Sequence, residues 1–269
     1  ELPEPVRVEF VRSIEGLRNH ALSLNLAAHL VANSYEGQIK AFADVLPHLH
    51  DDSRIHENHR SPFRVMRALE VGLYRVLHHR LQRMSAQESI ADSPAANQLA
   101  LLYFLGLFDR PAALDLLPVV YDASEELRDA VHMQPEDKAE YLRQVEAEAA
   151  KRDQVLNDPN TSDDDRLAAR HRFEDRFYQL SFHYWLPPVF ARFDQGPRSV
   201  TNALQQLNGQ GLVSKARLTT VEGGHAEWES VAVDKGWHQH HVDCHPLIRE
   251  YFGHQLETQY PEAFRATHG

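Results

Sequence analysis

The chain has 269 residues, 42% of them hydrophobic and 25% charged, and a formal charge of −11 at pH 7. Such a composition fits a globular protein with one large core or two smaller ones, and its acidity argues against broad attraction to nucleic acid or an anionic membrane. The single cysteine, Cys244, excludes an internal disulfide and suits a reducing compartment. No apolar run approaches the ~18 residues of a membrane span and no signal peptide opens the sequence. A cytoplasmic protein without membrane contact is therefore expected. The first residue is Glu1 rather than Met, as in a piece of something longer.

Residues 4–46 read as helical, with Val8, Val11 and Ile14 and then Leu22, Leu26, Leu30 and Val31 at helical spacing. A polar stretch over 47–60, rich in His and Asp, reads as a loop. Ser61-Pro62 supplies an N-cap and a first-turn proline, and the helix that follows carries Phe63, Met66, Leu69, Leu73, Leu77, Leu81 and Met84 as a core-facing stripe. Ser93-Pro94 repeats the start signal before Gln98 to Phe108, which is apolar nearly all round and so predicts a buried helix. Asp109-Arg110-Pro111 then turns the chain toward a short helix with Leu114, Leu116 and Leu117.

From Pro135 to Leu156 a charged helix starts with Glu136 and Asp137, as the helix dipole prefers. After a turn over Asn157 to Asp165, a second helix shows Phe173, Phe177, Leu180, Tyr184 and Trp185 on an aromatic face and stops at Pro187-Pro188. Residues 119–195 thus read as an inserted helical hairpin. Asn160-Thr161-Ser162 matches a glycosylation sequon, but nothing in the sequence suggests secretion.

The last third changes character. Ser199 caps a helix through Leu207, Gly209 and Gly211 end it, and Leu212 to Leu218 alternates like a strand. Gly223-Gly224 predicts a hairpin turn into Trp228 to Val233, and Trp237 to Asp243 reads as a third strand. The expectation is a mainly α protein: a helical domain over 1–90, a winged-helix domain over 91–118 and 196–269, and the helical insertion between its halves. The only sheet is expected within 211–243, as a small antiparallel element.

The third strand leads to His245-Pro246, where proline opens an amphipathic helix with Leu247, Ile248, Tyr251, Phe252 and Leu256 at helical spacing. This puts His245 beside helix N-terminal amides expected to be unpaired, a setting that suits a phosphate or a carboxylate. A residue at such a junction can equally well cap its own backbone. Two histidine clusters, His48, His50, Asp51, His56 and His59 and then His238, His240, His241 and His245, invite a metal. The His-Glu-x-x-His and Cys-x-x-Cys patterns of zinc sites are both missing. Cys244 beside His245 is a weak nucleophile pair, because neighbouring strand residues point to opposite faces. The chain has no phosphate-binding loop of its own, so ATP hydrolysis by this chain alone is not expected. As a DNA-binding helix, Ser199 to Leu207 has no lysine or arginine, while Lys215, Arg217 and Lys235 in the wing are offset by Glu222, Glu227, Glu229 and Asp234. A winged-helix transcription regulator is thus the alternative, and a ligand-free helical scaffold a third.

Taken together, Leu105-Gly106-Leu107-Phe108-Asp109-Arg110-Pro111, Cys244-His245-Pro246-Leu247-Ile248-Arg249-Glu250-Tyr251-Phe252-Gly253 and Tyr260-Pro261-Glu262-Ala263-Phe264-Arg265 resemble the bacterial STAND NTPases, the NB-ARC and NACHT-like signalling ATPases. The resemblance covers roughly residues 8–118 and 198–268. It implies that this chain is the helical plus winged-helix region, and that a nucleotide-binding domain of the same protein lies outside it. It also implies that His245, with Pro246, stands where the family's "MHD" histidine touches the β-phosphate of ADP. Leu17 to Leu24 is similar to the segment that lies beside adenine, making His20, Ala21 and Leu22 nucleotide-contacting positions, with Asn19 and Ala21 standing in place of the usual Gly and Pro. By the same resemblance the cofactor is ADP or ATP, the module self-oligomerises when ADP is exchanged, and a phage or host protein is the trigger in defence against phage.

Overall fold

Helix α2, Pro94–Leu105, has no polar face to turn outward, and every residue from Ala95 to Leu105 is buried. Ser93 precedes it in extended backbone and Pro94 fills its first position, so the sequence boundary and the structural one coincide. A computed structural model of the chain describes residues 57–83, 93–123, 135–190, 200–220, 226–231 and 241–268, together with Ala28. The remaining elements, in chain order, are α1 (Glu57–Arg83), β1 (Ala112–Ala113), a 3-10 turn (Leu114–Leu116), α3 (Leu117–Ala123), α4 (Pro135–Asn157) and α5 (Asp163–Phe190). After them come α6 (Thr201–Gly209), β2 (Val213–Thr220), β3 (Ala226–Val231), β4 (His241–Cys244), α7 (Pro246–Gln259) and α8 (Pro261–His268). The described residues are mainly helical with one small antiparallel sheet. Most of the expected helices over 4–46, the loop at 47–56, Gly223-Gly224 and Trp237 to His240 lie outside them.

The chain divides into two compact units, Glu1–Glu88 with Met133–Leu186 and Ser89–His132 with Pro187–Gly269. The hairpin of α4 and α5 therefore shares its unit with α1, whereas the sequence reading set it apart as an insertion over 119–195. Named contacts account for this. The apolar stripe of α1 is buried at Phe63, Met66, Leu69, Leu73, Leu77 and Leu81, and its partners come from the hairpin. Arg75 meets Glu174 at 2.5 Å, Arg67 lies 3.7 Å over the Tyr178 ring, and the Tyr178 hydroxyl donates to the buried Glu70 carboxylate at 3.1 Å. Tyr74 donates to the other Glu70 oxygen at 2.9 Å. Two hydroxyl donors offset the desolvation of that carboxylate.

The inward face of α5 carries Glu174, Phe177, Tyr178, Ser181, Phe182 and Trp185, all buried. Tyr178 and Phe182 were missed as core positions because Glu174 and Ser181 interrupt the apolar pattern. Both polar residues are used within the unit: the hydroxyls of Ser181 and Tyr141 lie 3.1 Å apart, Trp185 Nε1 donates to Tyr141 at 3.4 Å, and His78 Nδ1 stands 3.2 Å from the same oxygen. Ser162 caps α5, accepting from Asp165 N at 3.2 Å and donating to the Asp165 carboxylate at 2.7 Å.

Several boundaries depart from expectation, among them the end of α2 at Leu105 instead of Phe108 and the start of α6 at Thr201 with Val200 as its N-cap. Helix α1 begins at Glu57, so Ser61-Pro62 falls inside it and Pro62 forfeits one backbone bond in the second turn. Helix α5 continues through Pro187-Pro188 to Phe190. Proline's fixed φ is helical, and the missing donors cost only bonds near the helix end; the proline pair instead marks where one unit gives way to the other. The sheet is also larger than expected. Its order is β1-β4-β2-β3 with every pairing antiparallel, so it includes Ala112–Ala113 and Cys244, outside the expected 211–243. Two alanines after Pro111 show no alternation to read, yet they pair with Val242 and His241.

In the second unit, α2 packs against α6, α7 and β4. Tyr103 meets Phe252 edge-on with ring centroids 5.0 Å apart. Helix α6 ends in a tight reversal: Gly211 N donates to Asn208 O and Leu212 N to Leu207 O, both at 2.9 Å. Gly211 has φ 69°, a conformation that glycine adopts without steric strain, and β2 starts two residues later at Val213. The closest approach is between α7 and the end of α2. A Cβ on Gly106 would stand 2.5 Å from Gly253 N, and one on Gly253 would stand 2.6 Å from Gly106 O. The obstructing atoms are backbone, which cannot swing aside.

Gly253→Ala should therefore destabilise the chain even though alanine favours a helix by about 1 kcal/mol, because overpacking against fixed backbone costs about 1–3 kcal/mol or more. Gly209→Ala, with nothing within 4 Å of the added carbon, should be neutral or stabilising, and urea denaturation of both variants compares them directly.

His78 yields a pH prediction. Burial, with His79 beside it, pushes its pKa down from 6.5 to about 4. The folded state holds the neutral ring, so this contribution to stability is complete above pH 6.5 and is lost as the pH falls toward 4. His78→Phe suits the rings of Tyr141 and Phe177 that surround the site; urea midpoints measured across that range should fall less steeply for the variant than for the natural chain.

Candidate functional site

Strand β4 sits between β1 and β2, pairing Val242 with Ala112 and with Lys215. Its burial alternates, with Val242 and Cys244 inward and the strand's other residues half exposed. The strand thus fixes the direction of the next residue: Cys244 is buried and His245 is exposed. The two side chains diverge, as strand geometry requires. Burial pushes the Cys244 thiol up to about 12, so at neutral pH it is an inert core residue.

His245 is the N-cap of α7, with φ −59° and ψ 138°, and Pro246 takes the first helical position. The imidazole Nδ1 accepts from Leu247 N at 3.2 Å. Ile248 N and Arg249 N both reach His245 O, at 2.9 and 3.4 Å, and Pro246 has no N–H. The expectation of unpaired amides at this helix start is therefore overturned: each of the first amides has an acceptor in His245 itself. An anion at this corner would have to be met by side chains.

The cap also fixes the chemistry of the ring. A neutral imidazole whose Nδ1 accepts carries its proton on Nε2, so the atom free of the cap bond is a donor. Capping and donating use different nitrogens, so the two roles that compete in the sequence do not exclude each other. Protonation of Nδ1 would remove the acceptor and break the cap.

An ion pair brackets the residue. Arg249 Nη2, on the first turn of α7, donates to Asp243 Oδ1 on β4, and the same carboxylate oxygen accepts from Cys244 N at 2.8 Å. The side chains are 10% and 36% exposed, the arginine being the buried partner. Arg249 also approaches the Cys244 thiol and acts to lower its pKa against the larger effect of burial. On the other side of β4, Ala112 pairs with Val242, so the residues before Ala112 stand at the end of the sheet nearer His245. There Arg110 is fully exposed and donates to the Asp109 carboxylate at 3.0 Å. That carboxylate raises the pKa of Arg110.

Of the residues read from sequence as nucleotide contacts, His245 and Pro246 are together at this corner, while His20, Ala21 and Leu22 lie outside the described residues. His48, His50, His56, His238 and His240 lie outside them too. Among the described residues no group of three or more His, Cys, Asp or Glu is placed to hold a metal ion. Lys215, counted as a wing cation from the sequence, is completely buried in the sheet. Asp243 and Arg249 were not singled out, since their spacing is unremarkable until the strand-to-helix turn brings them together. No family model, no curated protein and no solved structure matches the chain.

His245→Ala should cost about 0.5–1 kcal/mol of stability through the lost cap, and His245→Asn, whose side-chain oxygen can take the same bond, should recover most of it. Urea denaturation of the three chains is the measurement.

Proposed function

We propose that this chain is the helical and winged-helix regulatory region of a STAND-type signalling ATPase, closing over ADP that is held by a nucleotide-binding domain outside it. The observation that carries the reading is His245: exposed just after the central strand β4, with Nδ1 capping α7 so that the ring proton lies on Nε2. The order of elements supports the winged-helix part: α2, β1, α3, α6 and then β2, β3 and β4, with β1 beside β4 in one antiparallel sheet. Two of the three segments that carry the family resemblance also meet in space, through the backbone approach of Gly106 and Gly253.

In this reading the resting protein holds ADP with an Nε2–H bond to a phosphate oxygen. A charge-assisted bond of this type contributes about 1.5–3 kcal/mol. Losing it on exchange for ATP frees the region to self-associate, after a phage or host protein supplies the trigger; the effector lies elsewhere in the protein. A cytoplasmic setting belongs to the same proposal. The structural fact behind it is narrower: no helix of the described residues is long and apolar enough to cross a membrane. The alternative of a DNA-binding winged helix loses a cation to the burial of Lys215. The described face of α6 offers Asn202, Gln205 and Gln206, and Gln206 already accepts from Gln98 at 2.5 Å.

The test uses the full-length protein. His245→Ala should weaken ADP retention about ten- to a hundred-fold and raise the oligomeric fraction. His245→Asn, which keeps the cap, should lose ADP nearly as much, because the Nε2 donor is gone. Equal ADP content and equal size in natural and Asn proteins would leave His245 as a cap alone and overturn the reading. The isolated chain should turn over no ATP, and its DNA affinity at physiological salt should be no tighter than about 10⁻⁴–10⁻⁶ M; a tight, sequence-dependent shift would favour the transcription regulator.

A further inference from the structure

We infer that Asp243 and Arg249 are the positioning pair for His245: their ion pair closes the corner between β4 and α7 and so holds the imidazole in its capping, Nε2-protonated form. The inference rests on the proposed function only for the use made of His245; the geometry itself is independent of it.

The corner spans seven residues, from Asp243 on the strand to Arg249 on the helix, and His245 lies between them. The backbone of His245 is held by its carbonyl, which accepts from Ile248 N and Arg249 N. The side chain accepts from Leu247 N at 3.2 Å, a neutral hydrogen bond in an exposed setting, worth about 1 kcal/mol or less. That bond depends on the angle at which β4 delivers His245 to the helix start. The pair fixes that angle. Asp243 Oδ1 accepts both from Arg249 Nη2 and from Cys244 N, so a single oxygen ties the last strand residue to the first helical turn. Arg249 sits low in the corner with a side chain 10% exposed, in contact with the Cys244 thiol. With both ends tied, the Leu247 amide points at the imidazole, and the ring keeps its capping position.

The charges matter as well as the tie. A buried guanidinium without its carboxylate is costly, since removing one partner of such a pair leaves an uncompensated charge. Arg249 Nε has no hydrogen-bond partner, so the arginine depends on Asp243 for its compensation. Loss of the carboxylate should therefore drive Arg249 outward and open the corner, rather than leave it in place with one bond fewer. The effect on His245 would be indirect: neither Asp243 nor Arg249 need touch a ligand.

The experiment reads the ring itself. Nitrogen chemical shifts of His245 in the chain at neutral pH report the tautomer, and hydrogen exchange at Leu247 N reports the cap. Arg249→Gln and Asp243→Asn should each reduce Leu247 protection about five- to tenfold and shift the ring toward a mixture of tautomers, while Arg249→Lys should recover part of both. Should Arg249→Gln fail to fold, Asp243→Asn, at the more exposed partner, carries the test. A folded variant with the natural tautomer and the natural Leu247 exchange would overturn the positioning role. ADP retention in the full-length protein separates the two ideas: if the tautomer shifts and ADP retention does not, the pair positions His245 but the phosphate contact fails.

Discussion

Two glycines set the distance on which the second unit is built. Gly106 ends α2 and Gly253 lies in the middle of α7, and their backbones come so near that no side chain larger than hydrogen fits at either position. At that separation Phe252 reaches the Tyr103 ring, and Ile248, Tyr251 and Leu256 complete the apolar cover of α2. An aromatic or large aliphatic side chain buried this way stabilises by about 1.5–3 kcal/mol, so the seam counts among the main stabilising contacts of the unit. It also fixes the axis of α7. His245 alone joins β4 to that helix, so its place is decided jointly by the sheet on one side and the glycine crossing on the other.

The corner therefore has three levels of support. The sheet register aims β4, the seam holds α7, and the Asp243–Arg249 pair joins the two across His245. Each level uses a different physical means: backbone hydrogen bonds, close packing and charge. The means differ in their sensitivity. Packing and the sheet ladder are indifferent to salt, whereas an ion pair with a partly exposed carboxylate is screened by it. The first unit follows another logic. Its core admits a carboxylate at Glu70, an imidazole at His78 and several hydroxyls, and satisfies them across three helices. A polar core of that kind tolerates few alternative packings, because each donor requires its own acceptor.

Much of this was legible in the residues. The proline start signals mark where α2 and α7 begin, although α2 ends at Leu105 and not at Phe108. The stripe of α1 is buried as expected, but without Val65, Ala68, Val71 and Tyr74, buried residues that the spacing does not single out. Gly211 was read as a stop and is one, through its positive φ. The losses have separate causes. Two alanines cannot announce a strand, so β1 became visible only through its partners at His241 and Val242. Pro187-Pro188 reads as a helix stop, yet proline forbids only the donors it lacks and not the helical backbone itself. Glu174 and Ser181 disguised the inner face of α5, because polarity was taken for exposure. At the candidate site His245 and Pro246 were legible as a junction, but not the occupation of the amides, which depends on the imidazole turning back onto its own helix. The pairing of Asp243 with Arg249 follows from the sharpness of the corner, which no linear spacing encodes.

The discontinuity of the second unit has a consequence for the order in which it is made. Helix α2, which has no polar face, is synthesised well before α7, the helix that packs on it. Between them the chain must produce α4 and α5, which belong to the other unit. Domains tend to fold as units during synthesis, N-terminal parts first, so the hairpin and α1 can close on each other while Leu99, Tyr103 and Phe104 still lack their cover from α7. The nascent chain thus presents this apolar helix to the surroundings until α7 has been made. Closing β1 onto β4 across so long a stretch adds a loop-closure cost that grows only slowly with length, so time spent exposed, more than the energy of closure, is what this connectivity imposes.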